Sequence, residues 1–468
     1  MTIHLSEYLI PTTVNEALRL LKERGGRAAI VSGGTVQSLR LPSRVGILVD
    51  ITRCGLESIE ADAVEITIGA TVTAATLAGS ASLDGLGAGM LCEAAAAVSP
   101  QAVRNQVTVA GNITGHLSWA DLPVALLALD ATAIIARDPG TKRRLSLAEL
   151  FVEHPRKVLE PGEIITAVAV RKPAPGTGGA FVKMARTAVD IGLANAAALL
   201  TVEAGVCKAA AIAFGTVQPR PARAPAAEAL LVGAKLNETL IGEAAKRVAA
   251  GAVVHADLRA SPEYRRELLA TAVRRALISA WHRASGEEKL KVPRRMQPPP
   301  WPRLRTSPES GRVLHLEVDG AARRFATRPG DLLIDVLRRE GVASVKRGCD
   351  EGYCGTCTVQ VAGRVLNSCL VLAARVDGLS LLTAAGIGTV LCPHPLQTAM
   401  VEEGAVQCGF CTPGFVVAAK SLLDVIPDPS DAELRLALDG NLCRCTGYVK
   451  QLAAVQKAAA SLRRRPRG

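Results

Sequence analysis

The chain has 468 residues, 49% of them hydrophobic and 21% charged, which is enough apolar material for about three packed domains and unlike a disordered tail. Its longest apolar stretch, Leu122 to Ala136, is broken by Asp130 and is shorter than the roughly 18 residues a bilayer span needs; no cationic start with an apolar core follows Met1, so a cytoplasmic protein without a membrane span is expected. The formal charge is +12, but most of the excess lies in residues 287–312 and 457–468, and aromatic residues make up only 3%, so a solvated basic linker and tail are expected and no nucleic-acid partner.

In chain order, Thr13 caps a predicted helix whose Val14, Ala17, Leu18 and Leu21 share one face and which ends at Gly25-Gly26. A predicted strand, Ala28 to Val31, runs into Ser32-Gly33-Gly34-Thr35. Two glycines after a buried strand make a turn whose N–H groups can approach a diphosphate, although such turns are common without a ligand. Arg104-Asn-Gln-Val-Thr108-Val-Ala-Gly111-Asn112 then leads on to Asp121-Leu-Pro123; alone, Gly-Asn beside a strand is a tight turn. Three further segments follow: Phe181 to Arg186 with Asp190-Ile191, Ala213 to Ala224, and Asp257 to Arg265. No G-x-G-x-x-G occurs, and Gly85-Leu-Gly87-Ala-Gly89 has neither its spacing nor the following ribose-binding acid. A Rossmann fold is not expected, which leaves NAD open as an electron acceptor.

Residues 287–311 (EEKLKVPRRMQPPPWPRLRTSPESG) lack apolar periodicity. Pro298, Pro299 and Pro300 favour an extended, semi-rigid linker.

Twelve cysteines are present. Cys54, Cys92 and Cys207 are scattered, whereas the others all lie between Cys349 and Cys445. In a reducing compartment such clustering points to metal ligands or redox groups. Cys349, Cys354 and Cys357 form C-x4-C-x2-C, with Cys369 beyond; that is the plant-type [2Fe–2S] spacing and an unusual one for a zinc ribbon. Gly348, Gly352 and Gly355 are expected at φ > 0, aiming backbone N–H groups inward. Cys408 and Cys411 (C-x2-C) and Cys443 and Cys445 (C-x-C) form a second set, for which spacing alone leaves zinc and a second cluster both open. Helices are expected from Phe415 to Ile426, opening after Pro413-Gly414, and from Ala432 to Leu438, so that each Cys pair sits at a helix start or loop junction. Cys392 is expected to be a buried or bystander thiol and His394 a turn residue.

The strings QCGFCTPG and GNLCRCTGY, with HLEVDGAARRF, DLLIDVLRREG and LNSCLVLAARVDG upstream, resemble the [2Fe–2S] subunits of the molybdenum hydroxylase family (xanthine dehydrogenase, aldehyde oxidoreductase, carbon monoxide dehydrogenase and relatives) from about Val313 to Val455. The resemblance implies that Cys349, Cys354, Cys357 and Cys369 hold the cluster nearer a flavin. It likewise implies that Cys408, Cys411, Cys443 and Cys445 hold the one nearer molybdopterin, with Gln407 and Cys445 touching the pterin across a subunit interface. The upstream segments resemble the FAD domain of the vanillyl-alcohol-oxidase/p-cresol-methylhydroxylase (PCMH) type found in the same enzymes. Carried over by position, the implied FAD contacts are Ile30, Val31, Ser32, Gly33, Gly34, Thr35, Val36, Gln37, Thr108, Val109, Ala110, Gly111, Asn112, Asp121, Ile165 and Lys183. Ala110 replaces a family glycine and is tolerated if its φ is negative; the alternative for Lys183 is an ordinary surface lysine.

The expected fold class is α+β: a PCMH/VAO-type FAD-binding domain (1–175), a CO-dehydrogenase-flavoprotein-like C-terminal subdomain (176–286), the linker (287–311), a plant-ferredoxin-like β-grasp [2Fe–2S] domain (312–386), a helical [2Fe–2S] domain (387–462) and a basic tail (463–468). Flavin first and clusters second reverses the order of the fused family members. The expected function is an electron-transfer subunit with FAD and two [2Fe–2S] clusters and no catalytic residue of its own. It would take electrons from a large molybdopterin-binding subunit, within a higher-order heteromer, and pass them to an external acceptor (NAD, oxygen or another carrier). A self-contained flavin/iron–sulfur reductase using a pyridine nucleotide and a zinc-stabilised interaction module are the alternatives.

Overall fold

The structure is a computed structural model that describes residues 4–36, 41, 43–83, 85–87, 89–115, 117–290, 296–302 and 313–464. The chain forms two compact units, one made of Leu56–Ser99 and Thr108–Val292, the other of Met1–Gly55, Pro100–Val107 and Pro293–Gly468.

In the first of these, a five-stranded antiparallel sheet runs in the order Ile59–Ala61, Glu65–Gly69, Ile164–Arg171, Thr132–Asp138, Thr141–Ser146. The apolar stretch from Leu122 to Ala136 splits into a buried helix, Leu122–Ala128, and the start of a strand at Thr132. Asp130, at φ 49°, makes the turn between them, a conformation that Asp tolerates better than most residues. A second sheet, ordered Ala222–Arg223, Val206–Gly215, Ala194–Glu203, Thr177–Met184, is packed by the helices Glu238–Gly251 and Pro262–Ala284.

The other unit begins with three parallel strands in the order Glu7–Leu9, Ile47–Asp50, Ala28–Val31. The predicted helix spans Val14–Arg24: Thr13 caps it by accepting the Glu16 N–H at 3.1 Å, and Gly25 ends it at φ 56°. The cysteine-rich third begins with a five-stranded sheet, Ala321–Ala326, Val313–Val318, Leu379–Leu382, Thr358–Val361, Arg364–Asn367, and its helix Leu333–Arg339 packs on the short turn Ser368–Leu370. Four helices follow, Pro395–Glu402, Thr412–Val425, Asp431–Leu438 and Val449–Arg464, around a core containing Phe415, Leu422, Leu434 and Val455. The second of them opens earlier than the sequence suggests, at Thr412 with Cys411 as its cap residue. Pro413 falls in the first turn, where a missing N–H leaves nothing unpaired.

The linker is not wholly a free tether. Met296 is 7% exposed and packs in the helical core, and its carbonyl accepts from Gln101 Nε2 at 3.1 Å. Trp301 lies under the Arg364 guanidinium, 4.6 Å from its ring centroid, and the Pro302 carbonyl accepts from Arg53 Nη1 at 3.0 Å. Proline content hides these two apolar anchors, which dock residues Met296–Pro302 as a strap. Met296→Ala is expected to destabilise this unit by about 2–5 kcal/mol, seen as a lower denaturant midpoint with an unchanged native circular-dichroism spectrum; an unshifted midpoint would mean the strap carries no stability.

Among the described residues no helix is long and apolar enough to cross a membrane.

Candidate functional site

The first four clustered thiols meet two by two. Cys349 and Cys354 are in hydrogen-bonding contact, as are Cys357 and Cys369. The backbone N–H groups of Glu351, Tyr353 and Cys354 point at Cys349 Sγ at 3.4, 3.3 and 3.4 Å, and the Cys349 N–H points at Cys354 Sγ at 3.4 Å. The Cys349 thiol donating to Cys354 holds the latter down at about 5, helped by the Thr356 hydroxyl 3.3 Å away and opposed by burial. Its own titration is pushed up by the same bond, so one proton is shared by two sulfurs. Gly352 and Gly355 take the expected positive φ, at 78° and 66°. Gly348 does not; Asp350, at φ 58°, turns the chain there. At Gly348 the constraint is room, because a Cβ would lie 2.7 Å from Cys354 Sγ.

The second set behaves likewise. Cys408 and Cys445 Sγ are 3.6 Å apart and exposed, while Cys411, buried, pairs with Cys443. Burial, then Cys443, pushes Cys411 up to about 12. Burial acts on Cys443 too, but the Thr446 hydroxyl 3.2 Å away and neighbouring N–H groups outweigh it and bring that thiol to about 7. Thr446 is held by Gln451, itself 1% exposed and 3.8 Å from Cys411 Sγ. Among the described residues no three His, Cys, Asp or Glu side chains gather as around one ion. Thiols arranged in pairs suit a two-iron rhomb, in which each iron takes two thiolates, better than the four-to-one-point geometry of zinc.

The two thiol sets are joined directly. The Leu442 N–H, beside Cys443, donates to the Cys354 carbonyl at 3.0 Å, and Asn441 Nδ2 donates to the Gly355 carbonyl at 3.1 Å. Of the bystanders, Cys392 is exposed, not buried: it sits in the loop before the helix Pro395–Glu402. His394 caps that helix, its Nδ1 accepting from the Leu396 N–H at 3.2 Å.

In the same unit the strand Ala28–Val31 turns at Ser32-Gly33-Gly34, with Gly34 at φ 78°. The carbonyl side of this turn is taken by Arg375, which donates to the Gly33 carbonyl from Nη1 at 2.8 Å, to the Ser32 carbonyl from Nη2, and to Asp50 Oδ2 from Nε at 2.9 Å. Tyr8 donates its hydroxyl to the same carboxylate, and burial, then Asp50, raises the phenol's pKa well above its ordinary value. Among the described residues no backbone acceptor meets the N–H of Gly33, Gly34 or Thr35. Thr35 and Val36 are half-buried and continue the turn; Gln37 lies outside the described residues.

The other implied flavin contacts lie in the first-described unit. Thr108 caps the short helix Val109–Thr114. The N–H groups of Val109, Ala110 and Gly111 are spent on the carbonyls of Val72 and Ala70 and on Thr108 Oγ1, at 3.0, 3.1 and 3.2 Å. Helical Ala110 is absent from the positive-φ residues, which meets the condition for tolerating its methyl. Asn112 Oδ1 is buried with no partner among the described residues, an acceptor left for a ligand's donor. Lys183 is no surface lysine: with its side chain 9% exposed, Nζ meets Asp121 Oδ2 at 3.1 Å and the Ala97 carbonyl at 2.8 Å. Asn195 Nδ2 donates to Asp121 Oδ1 at 2.9 Å, and burial raises the Asp121 pKa against both partners. Lys183 lines a cavity of about 490 Å³ with Glu93, Phe181 and Arg186. Ile165 is not among its lining residues; it sits in the core strand Ile164–Arg171, 4% exposed, where pairing to Thr132–Asp138 slips register.

Sequence reasoning passed over Arg375, Asp50, Asn195, Thr446 and Gln451. Only Arg375 left a signal: one cation inside the apolar run LVLAARV must find a buried partner.

Four family models match: FAD binding domain in molybdopterin dehydrogenase over residues 3–173, CO dehydrogenase flavoprotein C-terminal domain over 179–280, 2Fe-2S iron-sulfur cluster binding domain over 316–383, and [2Fe-2S] binding domain over 383–456. The nicotinate dehydrogenase small FeS subunit of Eubacterium barkeri is 47% identical over 147 residues, which is 31% of this chain and 94% of that one. The nicotine 6-hydroxylase small subunit of Paenarthrobacter nicotinovorans is 41% identical over 153 residues, covering 32% and 92%. Among solved structures, a carbon monoxide dehydrogenase chain from Hydrogenophaga pseudoflava aligns with a TM-score of 0.57 and 29% identity over 60% of this chain and 99% of that one. A quinoline 2-oxidoreductase chain from Pseudomonas putida 86 gives 0.56 and 28% over 61% and 99%. The α+β architecture thus comprises an FAD domain, a flavoprotein C-terminal domain and two kinds of [2Fe–2S] domain, and the chain belongs to the molybdenum hydroxylase family as a fused FAD-binding and [2Fe–2S] electron-transfer subunit of an oxidoreductase.

Proposed function

We propose that this subunit works in the cytoplasm beside a large molybdopterin-binding partner, in a higher-order heteromer, receiving electrons at its helical cluster and delivering pairs from FAD to an external acceptor. When bound, the clusters carry single electrons and FAD collects two; the chain sets their order, spacing and surroundings. Cys349, Cys354, Cys357 and Cys369 are the proposed ligands of one cluster and Cys408, Cys411, Cys443 and Cys445 those of the other. The N–H groups of Gly33 and Gly34 receive the FAD diphosphate, with Asn112, Asp121, Ile165 and Lys183 as further contacts. The domain bounds at 175, 286, 311, 386 and 462 belong to the same reading.

The observation that carries this direction is the contrast between the thiol sets. Cys408 and Cys445 are exposed together with Gln407, and their sequence neighbours Phe410, Leu442, Tyr448 and Val449 are 37–74% exposed. Cys357 and Cys369, in contrast, are buried. Exposed apolar residues in the loops that carry exposed thiols are what a partner subunit covers.

Purification from the native host tests the reading. The chain is expected to elute with a large subunit containing molybdopterin, with about four irons per chain and flavin bands in the visible spectrum. Full NADH-dependent reductase turnover by the lone chain would replace it with a self-contained reductase. The flavin site has its own test: Gly34→Val, a β-branched residue at φ 78°, is strained there and is expected to give flavin-poor protein with both clusters intact. Undiminished flavin would remove the turn from the FAD site.

A further inference from the structure

We infer that Arg375, carried by the iron–sulfur third of the chain, is a positioning residue that presets the glycine turn for FAD, so that flavin retention depends on the plant-type [2Fe–2S] module. The inference rests on the proposed function, in which the turn receives the diphosphate.

A trans peptide unit is planar, with its C=O and N–H pointing in opposite directions. The Ser32 carbonyl shares a peptide with the Gly33 N–H, and the Gly33 carbonyl with the Gly34 N–H. By holding both carbonyls, Arg375 turns both N–H groups to the opposite face, where among the described residues no backbone carbonyl accepts them. Two parallel backbone donors, one leading into a left-handed glycine, form the concavity that binds phosphate oxygens. Orientation, and not charge, is what Arg375 supplies, because its guanidinium is neutralised by Asp50 at 2.9 Å, with side-chain exposures of 5% and 1%. The planar fork reaches three acceptors at once, a geometry that an ammonium does not match.

Arg375 lies six residues after Cys369, in a turn fixed to its own domain by the Ala373 N–H donating to the Asp331 carbonyl at 2.8 Å. The guanidinium therefore arrives only when that domain is folded. Because binding linkage is reciprocal, FAD should in turn steady the domain.

The full chain, stripped of flavin and titrated with FAD, tests this in three variants. Arg375→Met is expected to bind FAD at least about tenfold more weakly than wild type while keeping both cluster spectra. Asp50→Asn, which removes the ion pair and leaves the carbonyl contacts, is expected to stay within about threefold. Should Arg375→Met fail to load its clusters, Arg375→Lys decides, with the same tenfold weakening expected. Added FAD should also raise the bleaching temperature of the plant-type cluster in wild type and leave it unmoved in the Arg375 variant. Wild-type affinity in the folded Arg375 variant, or equal losses at Arg375 and Asp50, would overturn the inference by reducing the pair to a structural brace. Wild-type protein that takes up no FAD would instead sink the proposed flavin site itself.

Discussion

Cys408→Ser is expected to leave the purified complex with about two irons per chain instead of four and a single paramagnetic species after dithionite, with FAD content unchanged. Serine is a poor ligand at this position because a neutral hydroxyl does not supply the thiolate that each iron needs. Cys408 lies opposite Cys445 at 3.6 Å, so its loss breaks one pair and leaves Cys411 and Cys443 in place. Reduction of FAD by the substrate of the proposed molybdopterin partner should fall by at least about 100-fold, or roughly 2.7 kcal/mol of barrier, whereas direct reduction of FAD by dithionite should persist. That contrast separates a broken electron route from a damaged flavin site. Normal flavin reduction by substrate in protein missing one cluster would show that electrons do not enter through the helical half.

The parts of this molecule legible in the sequence are those set by local chemistry. The helix Val14–Arg24 and the strand Ala28–Val31 followed from a threonine cap, an apolar stripe and a Gly-Gly stop. Thiol spacing separated two sets of four, and the structure groups each into the two pairs described above. Long-range contacts were not legible. Nothing near Ser32 announces that a side chain more than 340 residues later will hold its carbonyl, and the Asp121–Lys183 pair joins a helix cap to a strand 62 residues on. Met296 was lost among prolines because one buried methionine has no periodicity. Gly348 shows a subtler limit. Sequence identifies where glycine is needed, but whether the need is a positive φ or an absent Cβ depends on atoms supplied by Cys354 and Thr356.

Gly355 carries both needs at once, and its substitution should have the larger structural effect. Its φ of 66° costs an alanine about 1–2 kcal/mol, and the added Cβ would lie 2.3 Å from the Gly440 carbonyl oxygen and 2.6 Å from Asn441 Nδ2. Backbone on the far side cannot yield as a flexible side chain would, so Gly355→Ala must push apart the two loops that bear Cys354 and Cys443. The Leu442 N–H to Cys354 carbonyl bond, a direct connection between the two thiol sets, should open with them. We expect a stability loss of about 3 kcal/mol or more, weaker magnetic coupling between the two reduced clusters, and flavin reduction slowed by at least about tenfold even in molecules that retain all their iron. Gly341→Ala separates the causes: at φ 82° and with nothing within 4 Å of an added Cβ, it has the backbone strain without the collision. It should lose only the strain energy and keep the coupling. Equal effects at the two positions would mean that backbone conformation alone matters, and that the close approach of Gly355 to Gly440 does not set the spacing across which electrons move.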